Sequence, residues 1–303
     1  MKFSVWPNPG RPPGEVLDLA QLADREGWHG IWYADHYMPN TDSEAFAPGD
    51  VFECWAMVPA IAAVTDRVRI GTLVSPTSVH HPAILANRAA SIDHLSNGRL
   101  ILGIGAGWQI NEHRAYGIEL EPAAIRVDRF EEAIQIVRSL FTNERTTFDG
   151  THYSILDAPC DPKPVQSPLP ILVGTSSPRM LRITATHADE WNTWGAPPLA
   201  GEGLAKLLTA CERVERDPAT IRKSAQGLVI VTDSTASADK VRAGDWGARA
   251  LAGTIDQIVE QVAGYVELGF DELIVPDFTF GGDQSEREGK LTEVLSALTA
   301  AHG

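Results

Sequence analysis

The stretch Arg99-Leu-Ile-Leu-Gly-Ile-Gly-Ala-Gly-Trp108 joins an apolar run to three glycines at alternate positions. The run Leu100–Gly103 is typical of a strand that is covered on both faces, as in a parallel sheet. Gly103, Gly105 and Gly107 remove every second side chain, so the backbone can approach a ligand closely or adopt positive φ. The stretch predicts a buried strand that presents bare backbone to a planar ligand. A tight strand-to-helix turn with nothing bound explains the glycines equally well.

The glycine spacing does not fit a dinucleotide-binding fingerprint. That motif is Gly-x-Gly-x-x-Gly at the start of a helix, with an acidic residue about 20 positions later. Here the glycines alternate, and three predicted strand-helix units precede them. A Rossmann-type interpretation is therefore the weaker one.

The composition indicates one large α/β domain over residues 1–303, since 44% of the 303 residues are hydrophobic and 21% are charged. A net charge of −15 disfavours nucleic acid and anionic membranes as partners. No apolar stretch approaches the roughly 18 residues of a membrane span, and the first residues suggest a strand rather than a signal peptide. Three distant cysteines without a Cys-x-x-Cys pair argue against a disulfide framework or a zinc site. We expect a soluble cytoplasmic protein.

Short apolar strands alternate with amphipathic helices about eight times. Besides the opening stretch, the predicted strands are Lys2–Trp6, Gly30–Ala34, Val68–Val74, Ile171–Val173, Glu190–Thr193, Gly227–Val231 and Glu272–Val275. The predicted helices are Gly14–Gly27, Phe52–Thr65, Ala83–Leu95, Val127–Phe141, Pro178–His187, Gly203–Arg216, Thr254–Leu268 and Glu286–Ala301. The alternation favours a single (β/α)8 TIM barrel with insertions, including a small β-hairpin near residues 146–155, where Asp149-Gly150 signals a turn. A doubly wound sheet shows the same alternation, but the lack of a composition break favours the barrel.

Functional residues of a barrel follow the carboxyl ends of its strands. Asp35 and His36 follow the second predicted strand, where a carboxylate can orient an imidazole for acid-base chemistry. The purely structural alternative is an aspartate that caps a turn beside a hydrogen-bonded histidine. His80 and His81 are weak candidates for a metal site, because adjacent side chains rarely point together.

Two further strand ends carry unusual backbone signals. Gly71 and Pro76 bracket the end of the third predicted strand and predict a bulge. After the fifth strand, Ser177 is a good N-cap and Pro178 a good first helical residue. The small residues before this helix leave N–H groups that suit a phosphate, although a plain capped helix explains them almost as well.

Taken together, the motifs carry a family resemblance that covers most of the chain. They are Asp35-His36, Gly71–Pro76, His81-Pro82, Asp93–Arg99, Gly103–Trp108, Asn111–His113, Pro170–Gly174, Ala188–Asn192, Gly253–Gln261 and Gly269–Val275. In this order they resemble the bacterial luciferase-like flavin and deazaflavin oxidoreductases, and in particular the branch that uses coenzyme F420.

The resemblance implies a TIM barrel with an isoalloxazine-like ring at the carboxyl ends of its strands. It also implies a non-prolyl cis peptide at Leu73-Val74, against the ring. Cofactor-binding positions of the family fall on Asp35, Leu73, Val74, Ser75, Ala106, Gly107, Trp108 and Asn111, and its phosphate-binding positions on Gly174, Thr175, Ser176 and Ser177. His36 matches the catalytic histidine. The implied reaction is hydride transfer between a substrate and C5 of the deazaflavin, with His36 exchanging the proton and Asp35 tuning it.

The chain departs from the sugar-phosphate dehydrogenases of this family. Trp108 stands where they carry a proton-donating carboxylate, and Asn40 stands where they carry a tryptophan. Residues 194–198 also lack the lysines that would hold a sugar phosphate. We therefore expect a weakly polar small-molecule substrate, given the aromatic residues near predicted strand ends: Trp6, Tyr37, Trp55, Trp108, Trp191 and Trp194.

Two other functions stay open at this stage. One is an FMN-dependent luciferase-like monooxygenase, and the other is a non-catalytic protein that binds flavin or deazaflavin. The resemblance adds a homodimer as the common assembly of the family.

Overall fold

A computed structural model describes residues 1–41 and 43–303. The strands are β1 (Lys2–Trp6), β2 (Gly30–Tyr33), β3 (Arg69–Thr72), β4 (Ser75–Pro76), β5 (Leu100–Gly105), β6 (Thr146–Asp149), β7 (Ser154–Ala158), β8 (Ile171–Gly174), β9 (Glu190–Trp194), β10 (Arg222–Gln226), β11 (Leu228–Val231), β12 (Ala250–Gly253) and β13 (Glu272–Pro276). The α-helices are α1 (Pro13–Glu26), α2 (Cys54–Ala63), α3 (Pro82–Leu95), α4 (Ile110–Ala115), α5 (Ala123–Thr142), α6 (Pro178–His187), α7 (Pro197–Arg213), α8 (Thr235–Ala243), α9 (Ile255–Glu267) and α10 (Gln284–His302).

The chain divides into two compact units. Unit 1 comprises Met1–Asn8, Gly14–Trp32 and Thr175–Gly303, and unit 2 comprises Pro9–Pro13 and Tyr33–Gly174. In unit 1, parallel strands lie in the order β2-β1-β13-β10-β9. Each successive pair along the chain is separated by a helix, which is the connection that parallel strands require.

In unit 2, β5 is the central strand. It pairs in parallel with β3 and β4 along one edge and with β8 along the other. All six residues of β5 are buried, as the apolar run predicts. The antiparallel pair β6 and β7 confirms the predicted hairpin insertion.

One predicted strand is misplaced. Gly227–Val231 was expected to be the seventh strand of the main sheet, but β11 occupies this region and pairs only with β12 in the described structure. The strand beside β9 and β13 is β10, whose sequence is Arg-Lys-Ser-Ala-Gln. Ser224 explains how a polar strand fits there, because its hydroxyl accepts a hydrogen bond from the Asn192 amide at 2.9 Å.

The third predicted strand is interrupted. β3 ends at Thr72, the peptide bond Leu73-Val74 is cis as the family resemblance implies, and β4 resumes at Ser75. The prediction also placed the start of the helix that became α7 six residues too late, and it did not include α4, α8 or β12. Within the described residues, no helix is both long and apolar enough to cross a membrane.

Candidate active site

His36 lies just after β2 in unit 2 and is paired with a buried carboxylate. Its Nδ1 is 3.1 Å from Oε1 of Glu112 on α4, and Oε2 of Glu112 accepts the backbone N–H of Tyr37 at 3.0 Å. Glu112 is 2% exposed, whereas His36 is 25% exposed. A buried carboxylate accepts from an imidazole N–H, so the proton on Nδ1 faces Glu112. This pairing leaves Nε2 of His36 as the nitrogen that can exchange a proton.

Asp35 does not contact His36, which corrects the expectation that it tunes that imidazole. Its side chain is fully buried in unit 2. Oδ2 accepts hydrogen bonds from Ser75 Oγ at 2.5 Å and Trp55 Nε1 at 2.9 Å, and it lies 2.9 Å from Nε2 of His80. The side chains of Asp35 and His36 point in different directions and meet different partners, because adjacent side chains at a strand end diverge.

The surroundings of Asp35 keep it ionised. Burial raises the pKa of its carboxyl group, but hydrogen bonds from His80, Ser75 and Trp55 outweigh that effect, and the net pKa lies below the ordinary value. Its second oxygen, Oδ1, is buried and has no hydrogen-bond partner within the described residues. Buried polar atoms are normally paired, so Oδ1 is an acceptor available to a bound molecule.

The alternate glycines make room for the chain's own bulge. A Cβ at Gly105 would lie 2.9 Å from a Val74 methyl carbon, one at Gly174 would lie 3.3 Å from the other, and one at Gly103 would collide with the Thr72 carbonyl. The Thr72 hydroxyl also donates to the Gly103 carbonyl at 2.7 Å. Val74 and Thr72 therefore occupy the space beside Gly103, Gly105 and Gly174, whereas Gly107 borders Ser78; contact between this backbone and a planar ligand stays a prediction.

The residues that follow β5 differ in how exposed they are. Trp108 is 53% exposed, and its ring stands edge-on to His36 with centroids 5.7 Å apart. Gly107 has φ +85°, and Ala106 is half-buried. Asn111 is buried, and its amide group donates to the Pro39 carbonyl and accepts from Glu112 N–H. Trp108 is therefore the residue of this segment most available to a ligand beside His36.

The predicted phosphate-binding residues divide between the units: Gly174 ends β8 in unit 2, and Thr175, Ser176 and Ser177 begin a segment of unit 1. Ser177 is the N-cap residue of α6, yet its side chain forms no capping hydrogen bond. Ser176 and Ser177 are exposed. The Ser177 side chain therefore does not cap α6, and phosphate binding at this helix end stays a prediction.

Sequence reasoning missed three partners in unit 2. Glu112 was part of a quoted motif but had no role, His80 was considered only as a metal ligand, and Trp55 only as an aromatic wall. Their roles depend on contacts across 76, 45 and 20 positions of the chain. Among the described residues, no group of three or more His, Cys, Asp or Glu is arranged to hold a metal ion.

Comparison with solved structures defines the fold class. An F420-dependent secondary alcohol dehydrogenase, solved with an F420-acetone adduct, superposes with a TM-score of 0.83 over 98% of each chain at 18% identity. The similarity confirms the predicted (β/α)8 TIM barrel. Residues 1–246 match the model of the luciferase-like monooxygenases, and the chain belongs to that family.

Curated relatives in this family carry deazaflavin-dependent names. An F420-dependent glucose-6-phosphate dehydrogenase of Microbacterium testaceum is 30% identical over 88% of each chain. The F420-dependent hydroxymycolic acid dehydrogenase of Mycobacterium tuberculosis is 30% identical over 92% of this chain and 75% of the relative. The glucose-6-phosphate dehydrogenase of Kineococcus radiotolerans is 35% identical, but the match spans 58% of this chain and about half (51%) of that relative.

Proposed function

We propose that the protein is an oxidoreductase that uses coenzyme F420 and exchanges a hydride with a weakly polar organic substrate. The observation that carries the proposal is the partly exposed imidazole of His36, held by the buried carboxylate of Glu112. The F420-dependent names of relatives that align with most of the chain support the choice of cofactor.

The residues of unit 2 fit a deazaflavin. Asp35 offers an unpartnered buried acceptor, Oδ1, of the kind that a ring N–H or a hydroxyl group would satisfy. Leu73, Val74 and Ser75 form the bulge that would face the ring, and Ala106, Gly107 and Trp108 form the segment that would flank it. When bound, the deazaflavin supplies or accepts the hydride at its C5 carbon, and the protein supplies position and electrostatics.

The proton that accompanies the hydride would pass through His36. Because Glu112 fixes the proton on Nδ1, Nε2 is free to take a proton from a substrate hydroxyl or return one to a carbonyl. The Glu112 carboxylate would stabilise the imidazolium that forms. Trp108, standing beside His36, would help to exclude water from the reacting groups.

The proposed substrate is not a sugar phosphate. Trp108 occupies the place of the acid in the sugar-phosphate dehydrogenases, and an indole offers only a weak N–H donor. Its exposed ring instead presents apolar surface next to His36. A substrate that brings an alcohol or carbonyl group on an apolar body matches this surface.

Cofactor titration tests the proposal. We expect purified protein to bind coenzyme F420, followed by the fluorescence of the deazaflavin, and to bind FMN much more weakly. The alternative candidate is an FMN-dependent monooxygenase, and the description of the matching family as luciferase-like monooxygenases supports its reaction without naming a cofactor. Tight FMN binding without F420 binding would reject our proposal in favour of that alternative.

A second experiment separates an enzyme from a protein that only binds the cofactor. The change His36→Ala removes the proposed proton exchanger from a partly exposed position and leaves the buried Asp35 cluster intact. We expect turnover to fall at least about a hundredfold with F420 still bound. Unchanged function in this variant would favour the non-catalytic alternative.

A further inference from the structure

Three aromatic side chains cluster in unit 1 at the carboxyl ends of parallel strands. Trp6 ends β1, Trp194 ends β9, and Phe278 follows β13. The ring centroid of Trp6 lies 5.6 Å from that of Trp194 and 5.2 Å from that of Phe278. Trp194 is half-buried and Phe278 is 39% exposed, so the cluster is open on one side. In a TIM barrel this end of the strands is the end that binds substrates.

Arg249 stacks on this cluster. Its guanidinium carbon lies 5.7 Å from the ring centroid of Trp194 and 5.2 Å from that of Trp246. Hydrogen bonds fix the backbone around this residue, because Ala196 N–H donates to the Ala248 carbonyl at 3.0 Å and Arg249 N–H donates to the Trp246 carbonyl at 2.8 Å. Within the described part of the chain, the guanidinium forms no hydrogen bond and no ion pair. Arg249 is an exposed residue, so its planar set of N–H donors faces solvent and can meet a carboxylate.

Three buried polar atoms of the same unit lack partners. They are Oγ of Ser4, Nε1 of Trp6 and Oε1 of Gln226, none of which forms a hydrogen bond within the described residues. Ser4 lies opposite Ile274, Ile274 lies opposite Gln226, and Gln226 lies opposite Trp194 in the parallel register. Residues in register share a face of the sheet, and Trp6 shares it with Ser4 two positions earlier.

These atoms indicate a ligand because buried polar groups in folded proteins are normally satisfied. The indole N–H of Trp6 and the amide oxygen of Gln226 lie on the same face of the sheet as the ring of Trp194. The Arg249 guanidinium stacks on that ring. One molecule could use all of these features. It would need a flat apolar body for the indoles, polar atoms for the buried partners and an anionic group for the arginine.

We propose that Trp6, Trp194, Gln226 and Arg249 form the substrate subsite of the protein, and that this subsite takes a carboxylate carried on a flat apolar body. That this ligand is the substrate rests on the proposed oxidoreductase function, whereas its chemistry is inferred from the contacts within unit 1. It refines the expected weakly polar substrate to an apolar acid. Arg249 and the two indoles are the specificity-determining residues.

The test measures binding by calorimetry without cofactor, so it does not depend on the redox proposal. The probes are naphthoate, naphthylmethanol and naphthyl phosphate. We expect naphthoate to bind the wild-type protein at least about tenfold more tightly than the neutral alcohol, which is the difference that one charged hydrogen-bonding pair supplies. Tighter binding of the phosphate than of naphthoate would overturn the assignment to carboxylates.

The variant Arg249→Gln should remove the preference for naphthoate over naphthylmethanol. Arg249→Lys, which retains the charge but not the planar fork, should keep part of it. Arg213→Gln is the matched control, because Arg213 is an exposed arginine near the end of α7. Equal naphthoate affinity in Arg249→Gln and Arg213→Gln would overturn the proposal.

Coenzyme F420 is titrated into the same proteins to separate the two possible sources of a carboxylate. We expect equal F420 affinity in wild type and Arg249→Gln. Loss of F420 affinity with unchanged naphthoate affinity would overturn the substrate assignment, because the arginine would then serve the cofactor. Failure of every protein to bind F420 would reject the redox proposal while leaving the naphthoate result interpretable.

Discussion

At the scale of single residues, the pair His36 and Glu112 leads to a prediction about turnover. The change Glu112→Gln keeps the shape of the side chain but removes the charge that would stabilise an imidazolium. We expect turnover to fall about tenfold to a hundredfold while F420 affinity stays within about twofold of wild type. The pH profile of turnover should shift as well, which a purely structural role would not produce.

The control for this prediction is Glu267→Gln, a change at an exposed residue in the last turn of α9. It should leave turnover and its pH profile unaltered. If Glu112→Gln behaves like this control, Glu112 has no positioning role for His36.

Asp35 leads to a prediction about stability and pH. Its pKa is lower in the folded protein than the roughly 3.9 of an unfolded chain, so its ionised form stabilises the fold above that pH. This stabilisation is lost as the pH falls below about 3.9 toward the folded pKa, where the stability changes by up to about 1.4 kcal/mol per pH unit for this group.

Urea unfolding of Asp35→Asn measures this effect. We expect the variant to lose about 2 kcal/mol at pH 7, because the hydrogen bonds from Ser75, Trp55 and His80 lose their charged acceptor. Its stability should also depend less steeply on pH below about 3.9. Asp256→Asn, at an exposed site in the first turn of α9, serves as control. Equal pH slopes for the two variants would contradict the assignment.

The sequence located His36 correctly after a strand but assigned it the wrong carboxylate. The sequence suggested the adjacent residue Asp35 as the partner, whereas the observed partner, Glu112, lies 76 positions away. Such a pairing depends on where α4 packs, and no local pattern carries that information. The same limit explains why the hydrogen bonds between Asp35 and His80 and between Asp35 and Trp55 were not predicted.

At the scale of elements, the contact between β5 and the bulge after β3 can be tested with alanine. A Cβ added at Gly105 would lie 2.9 Å from Val74 Cγ2, closer than folded structures tolerate, and one at Gly174 would lie at a tight but less severe 3.3 Å from Cγ1. We expect Gly105→Ala to cost about 1–3 kcal/mol and to weaken F420 binding, since the bulge must shift. Gly174→Ala should cost less.

A double variant decides whether Val74 is the group that Gly105 accommodates. In thermal unfolding, Gly105→Ala together with Val74→Ala should lose less stability than the sum of the two single changes. Strict additivity would show that the two positions are energetically independent.

Comparison of the predicted and observed strands shows which sequence patterns predict a strand correctly and which do not. The apolar run of β5 was predicted correctly because its composition matches its burial on both faces. β10 was missed because its side chains are mostly polar. The strand of the main sheet was predicted instead at the nearby apolar run of β11. Ser224 is buried through its hydrogen bond to Asn192, a pairing between strands that hydrophobic periodicity does not detect.

At the scale of the whole molecule, ligand binding should appear as stability. A ligand that binds only the folded state stabilises it by about 2.7 kcal/mol at a hundredfold excess over its Kd. We expect coenzyme F420, and not FMN, to raise the Tm of the protein, and to do so equally in His36→Ala, which retains the Asp35 cluster. Differential scanning fluorimetry measures this. A Tm increase with FMN alone would contradict the choice of cofactor.

The alternation of strands and helices was sufficient to predict the fold class, because eight such units without a break in composition favour a barrel. The grouping of the chain into two units was not predictable in this way. Unit 1 joins Gly14–Trp32 to Thr175–Gly303, segments that more than a hundred positions separate. Patterns within short windows cannot reveal which distant segments pack together.

The seating of Val74 among Gly103, Gly105 and Gly174 has a consequence for protein engineering. Four positions, one in the bulge between β3 and β4 and three on β5 and β8, share one small volume, so their side chains must be chosen together. A library that diversifies Val74 toward larger residues will return mostly unfolded proteins, since Gly103, Gly105 and Gly174 have no side-chain atoms whose removal could make room. A library that enlarges one glycine and trims Val74 in the same clone keeps that volume constant, and is the more productive route to reshaping this wall.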